Sequence, residues 1–162
     1  MFSTRLVAAL IALLVVTAVA GCGGSGSNDE GGALSKGQFA QKSNGLCADA
    51  QAKRTQLVQQ LPMNPSGPAD ADKLDSIVTI DRELIRKVDA LLPPESEQDR
   101  VDKVLDTWRQ RAGVEQQYAD SVRAMQDPAT LASFTANLAQ IDAANDPIAI
   151  QLGMTQCTRG ST

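Results

Sequence analysis

The chain has 162 residues, enough for one domain with a modest core, and it carries 15 basic and 19 acidic side chains but no histidine. Only Arg5 is charged among the first 21 residues, so the remainder holds 14 basic and 19 acidic groups, a net −5 that argues against a surface for nucleic-acid phosphates. Without histidine, Ser-His-Asp and Cys-His nucleophiles and Glu-x-x-His di-iron sites are excluded.

Residues 1–5 form a short positive start, and residues 6–20 are uncharged and apolar, ending in small side chains. As a helix this run rises about 22 Å, short of the roughly 30 Å hydrocarbon core, which favours a cleaved signal peptide over a permanent span. The tetrad Val19-Ala20-Gly21-Cys22 resembles the lipobox of bacterial lipoproteins. That resemblance implies a diacylglyceryl group on the Cys22 thiol, cleavage just before it, and a protein held on the extracytoplasmic face of the cell membrane. The alternative is ordinary secretory cleavage near Ala20, which leaves an odd exposed thiol in an oxidising compartment. Residues 23–32 carry no apolar side chain and read as a flexible tether extending on the order of 20 Å, so the expected divisions are a signal peptide over 1–21, a tether over 22–33, a helical domain over 34–158 and a disordered tail over 159–162.

Composition favours helices: Ala, Leu, Gln and Asp abound, and there are only one Trp, one Tyr and three Phe. Ser35 with Gln38 makes a capping box, and Leu34 with Phe39 a hydrophobic staple. The first helix places Phe39, Leu46, Cys47, Ala50, Leu57, Val58 and Leu61 on one side and stops at Pro62. A second opens near Pro68, with Asp70 and Asp72 complementing its dipole and Leu74, Ile77, Leu84, Val88 and Leu91 as its stripe. Pro93 and Pro94 close it, and Ser96 with Asp99 is expected to cap a third helix carrying Val101, Val104, Leu105, Trp108, Tyr118, Val122 and Met125. Asp127 followed by Pro128 starts a fourth, with Leu131, Phe134, Leu138 and Ile141. Asn145-Asp146-Pro147 repeats the start signal, so a break is expected there, followed by a short last helix from Pro147 to about Gln156. The fold class is therefore all-α: an antiparallel up-down four-helix bundle with a short extra C-terminal helix.

With Cys22 assigned to lipid, Cys47 and Cys157 remain as an even pair in an exported chain, and a disulfide is expected. In an ideal bundle Cys47 lies opposite about residue 147, an offset of roughly 15 Å that the break at Pro147 would remove. Two buried free thiols are the alternative, and two thiolates without histidine leave a zinc shell short.

Several polar residues occupy positions where the pattern calls for apolar ones: Arg54, Asp81, Arg111 with Glu115, and Asn145. Arg54 and Asp81 are each seven residues from Leu61 and Leu74 across one loop, so antiparallel pairing brings them to one level, to which Arg111 and Asn145 also project. One reading is an ion-pair layer that fixes register. The other is a cavity in which Arg54 and Arg111 hold an anion. Asp70, Asp72 and Asp75 depart from a calcium loop at Leu74, Met63, Met125 and Met154 are too scattered for copper, and neither metal nor cofactor is expected.

Residues 39–50, "FAQKSNGLCADA", together with "LGMTQC" near the end, resemble small two-cysteine helical lipoproteins of high-GC Gram-positive bacteria. The resemblance implies the fold and the compartment and assigns no mechanism. The expectation is a membrane-anchored, non-enzymatic binding or protein-interaction module, with an envelope protein or a small anionic ligand as partner and no nucleic acid.

Overall fold

A computed structural model describes residues 32–159; the expected signal peptide, lipobox and most of the tether lie outside the described residues, as do residues 160–162. Four antiparallel helices form an up-down bundle: α1 (Lys36–Val58), α2 (Pro68–Asp89), α3 (Gln98–Arg123) and α4 (Pro128–Gln151), with 3-10 turns at Glu95–Glu97 and Thr155–Cys157. No strand occurs among the described residues.

The local start signals act as the residue types dictate. The Gln38 N–H donates to the Ser35 hydroxyl and the Ser35 N–H to Gln38 Oε1, closing the capping box that begins α1. Leu34 is held in place by its N–H, which donates to the Leu92 carbonyl at 2.7 Å. At α4, the Ala129 and Thr130 N–H groups donate to the Asp127 carboxylate, and Pro128 occupies the first turn, where it forfeits no intrahelical bond.

Two expected boundaries differ. Ser96 does not cap α3; a 3-10 turn precedes the helix, and Glu97 stands at the cap without a side-chain bond to the backbone. Glu97 is instead buried between Lys36, at 3.2 Å, and Arg100, at 2.6 Å, ion pairs that join the start of α3 to the start of α1. Nor does the chain break at Pro147, because α4 continues through it to Gln151. Pro147 frees only the carbonyl of Ala143, and both residues face solvent, so water can satisfy the carbonyl. The separate last helix from Pro147 is thus replaced by the end of α4 and a tight reversal.

That reversal sits at Leu152–Gly153. The Met154 N–H donates to the Ala149 carbonyl at 2.8 Å and the Gly153 N–H to the Ile150 carbonyl at 2.9 Å, a Schellman termination with Gly153 left-handed at φ 78. A β-carbon on Gly153 would stand 3.1 Å from Ala40 Cβ, so the position needs glycine for both backbone and space. The turned chain is clamped by Asn44, whose Nδ2 donates to the Gly153 carbonyl at 2.8 Å and whose Oδ1 accepts from the Gln156 N–H at 2.9 Å. It lies against α1 and brings Cys157 to Cys47 in a disulfide, with α-carbons 5.1 Å apart.

The main core lies at the end of the bundle where this turn docks. Phe39, Cys47, Leu84, Ile85, Val88, Val104, Leu105, Trp108, Leu152 and Met154 are its chief members, all buried. The far half is thinner: Ile77, Val78, Val122 and Ile141 are buried, while Leu57, Leu61, Leu74, Leu131, Phe134 and Leu138 are only half-buried. Val58 and Met125, expected on apolar stripes, are exposed; Met125 stands just past the end of α3 in a left-handed conformation.

Because the disulfide closes a loop of sequence separation 110, its removal releases a large entropy into the unfolded chain. Replacing Cys47 and Cys157 together by serine is expected to lower stability by about 2–5 kcal/mol, read as a reduced urea midpoint. An unchanged midpoint would show that the Asn44 clamp alone holds the turn.

Candidate functional site

The polar positions on the seams lie between the main core and the thinner half, at successive heights on each helix: Arg54 between Ala50 and Leu57, Asp81 between Val78 and Leu84, Arg111 and Glu115 between Trp108 and Ala119. Asp81 is the hub. Its Oδ2 accepts from Arg54 of α1 and lies 3.5 Å from Arg111 Nη1 of α3, and its Oδ1 accepts from Arg159 Nη2 at 2.7 Å. Glu115 Oε1 pairs with Arg111 and with Arg54, the latter at 3.3 Å. Arg111 Nε also donates to Asp142 of α4 at 2.7 Å. One ion cluster therefore ties all four helices and the C-terminal turn at a single level.

Arg54, Asp81, Arg111 and Glu115 come together as their spacing implies. Asn145 is also buried, at 3 % exposure, but its Oδ1 has no hydrogen-bond partner and no bond joins it to the ion cluster. Sequence reasoning missed Asp142 and, above all, Arg159, which stands in the segment expected to be disordered. The Arg159 N–H donates to the Asp146 carboxylate at 3.1 Å while its guanidinium reaches Asp81. An arginine two residues beyond a disulfide cysteine is tethered near the core, and that was the available signal.

Electrostatics separates the two central carboxyls. Burial alone would raise the Asp81 carboxyl, but the charges of Arg159 and Arg54 outweigh it and hold it at about 2. Glu115 moves the other way: burial and the neighbouring Asp81 push it up, against the opposing pull of Arg111 and Arg54.

Chemically, the cluster leaves little room for a guest. Arg54 and Arg111, the groups suited to an anion, already face Asp81, Glu115 and Asp142. The gap beside Asp81, Trp108, Arg111 and Arg159 is too small for one water molecule. Among the described residues, no group of three or more Cys, Asp or Glu side chains is placed to hold a metal ion.

The larger spaces lie along α4. Helix α1 packs on α2, α2 on α3 and α3 on α4, whereas α4 meets the α1 side chiefly through the C-terminal turn, so the fourth seam stays open. One groove of about 420 Å³ runs between the loop at Met63–Ser66, Tyr118, Leu131 and Thr135. It meets, at Thr135, a second of about 500 Å³ lined by Leu138, Ala139, Asp142, Asp146 and Arg159. Between residues 128 and 141, α4 carries no charged side chain.

The Asp81 carboxyl is depressed in the folded state, so its stabilising contribution is present above pH 3.8 and is lost as pH falls from 3.8 towards about 2. That contribution is roughly 2 kcal/mol. Asp81→Asn should lose about 3 kcal/mol or more at neutral pH, by leaving buried guanidinium groups unpaired, and its stability should fall less over this acid window than that of the native chain. Urea midpoints of both proteins across the window check the expectation. Compared with known protein families, with curated proteins and with solved structures, the chain finds no match.

Proposed function

We propose that this is a lipid-anchored extracytoplasmic protein, held to the cell membrane by a diacylglyceryl group on Cys22, whose helical domain serves as a non-enzymatic protein-interaction module. The observation that carries the interaction reading is the open seam along α4 beside an ion layer that is filled from within. The anchor rests on the apolar run and the tetrad Val19-Ala20-Gly21-Cys22. No helix among the described residues is long and apolar enough to cross a membrane.

The partner's chemistry follows from the groove. Residues 128–141 of α4 are uncharged, and their exposed positions are mostly Ala, Ser, Thr and Asn. A partner that buried a charge here would meet no opposite charge on this stretch, so the groove suits an uncharged apolar helix of another envelope protein. The small-anion carrier is the weaker reading, since Arg54 and Arg111 are already paired with carboxylates.

Two measurements test the proposal in the native host. Cys22→Ser should move the protein from the membrane fraction to the soluble fraction and abolish metabolic labelling with a fatty-acid analogue; retention of both would overturn the anchor. A photo-crosslinker at Thr135 should give one discrete adduct that is absent with the probe at exposed Arg82 and is lost when Ala132→Lys is added. Equal labelling at both positions, or none at Thr135, would overturn the groove as the docking surface.

A further inference from the structure

The guanidinium groups of Arg54, Arg111 and Arg159 are bonded to Asp81, Glu115 and Asp142, and the Asp146 carboxylate accepts from the Arg159 backbone N–H. The two central acids are served unequally. Both Asp81 oxygens accept from arginine, Oδ2 from Arg54 and Oδ1 from Arg159. All the arginine contacts of Glu115 fall on Oε1, while Oε2 is buried with no partner. A buried acceptor left bare is costly, and protonation turns Glu115 into a donor that has the Asp81 carboxylate within hydrogen-bonding reach.

We propose that the layer is a proton-binding site in which Glu115 is carried as the neutral acid, so that the cross-bundle lock is tightest in mildly acidic surroundings and loosens as the medium turns neutral or alkaline. Protonation removes the repulsion between Glu115 and Asp81, its neighbour within hydrogen-bonding reach. The groups facing Glu115 are Arg54 from α1, Asp81 from α2, Arg111 from its own helix, Asp142 of α4 through Arg111, and Arg159 of the C-terminal turn through Asp81. The direction of the Glu115 shift agrees with this geometry. A group raised in the folded state contributes stability that is complete below its unfolded value and is lost as pH rises through the folded one. The proton thus acts opposite in sense to Asp81, which fails only in strong acid. Since Asp142 and Arg159 line the second groove and both hang on this layer, loosening it would widen the groove there.

The discriminating variant is Glu115→Gln, which has the shape of the neutral acid and can donate but cannot ionise. Urea unfolding of the full-length chain, followed by the fluorescence of Trp108 beside the layer, should show the native protein losing stability relative to the variant as pH rises above 4.5. The folding equilibrium constant of the variant should gain up to tenfold per pH unit over the window in which the native group ionises. At pH 7.5 the variant should be at least as stable as the native protein. A Glu115→Gln protein at least tenfold poorer in folding equilibrium at pH 7.5, with no pH-dependent difference, would overturn the proposal. Carbon-13 titration of the Glu115 carboxyl in the unmodified chain gives an independent readout: a midpoint above 4.5 is expected, and one at or below it would overturn the proposal.

Discussion

The bundle depends on the Asp81 carboxylate. A single buried group on α2 accepts from arginines of α1 and of the C-terminal turn, with the α3 arginine beside it. Carboxylate and guanidinium groups are expensive to bury, and they persist here because each is met by an opposite charge at hydrogen-bonding distance. The cost of separating them restricts how the helices can slide: moving one by a turn would strand a charge in the core. The apolar residues on either side hold the helices together, but Leu, Val and Ala packing tolerates many registers, and the ion layer selects one.

Arg159 gives the fold its asymmetry. In a closed four-helix bundle the fourth seam would be made by α1 against α4. Here the chain turns back at Gly153, is fastened by Asn44 and the Cys47–Cys157 bond, and places a guanidinium in that seam at the level of the layer. On one side of that level lies the well-packed core with the disulfide. On the other, Leu131, Phe134 and Leu138 of α4 are half-buried, and Leu131 lines an open groove. Rigid support beside an accessible uncharged face is a physically sensible arrangement for an interaction module.

Much of the fold was legible because its signals are local. Ser35 with Gln38, and Asp127 with Pro128, satisfy helix-start donors within four residues, and no tertiary context alters that. The Arg54 and Asp81 pairing was legible by equal distance from one loop. Where context decides, local rules misled. Pro147 reads as a break, yet its cost depends on whether the freed carbonyl can reach water, and Ala143 and Pro147 both lie on the exposed side of α4. Ser96 has the chemistry of a cap, but burying Glu97 between Lys36 and Arg100 sets the start of α3 elsewhere. Arg159 was legible only as tethered near Cys157; nothing in a short polar tail reveals that the reversal at Gly153, six residues earlier, aims its guanidinium inward. The open seam was hidden for a similar reason: Leu131, Phe134 and Leu138 recur at helical spacing whether or not a neighbour covers them.

The central claim, that arginines from separate elements converge on Asp81 to fix the bundle, is tested most directly by a double-mutant cycle between Asp81 and Arg159. Unfolding free energies of the native chain, Asp81→Asn, Arg159→Gln and the double variant give the coupling directly. A coupling of about 1.5 kcal/mol or more is predicted for a pair this close and buried. Additive losses, with coupling below about 0.5 kcal/mol, would contradict the account and return the C-terminal arginine to a solvated tail.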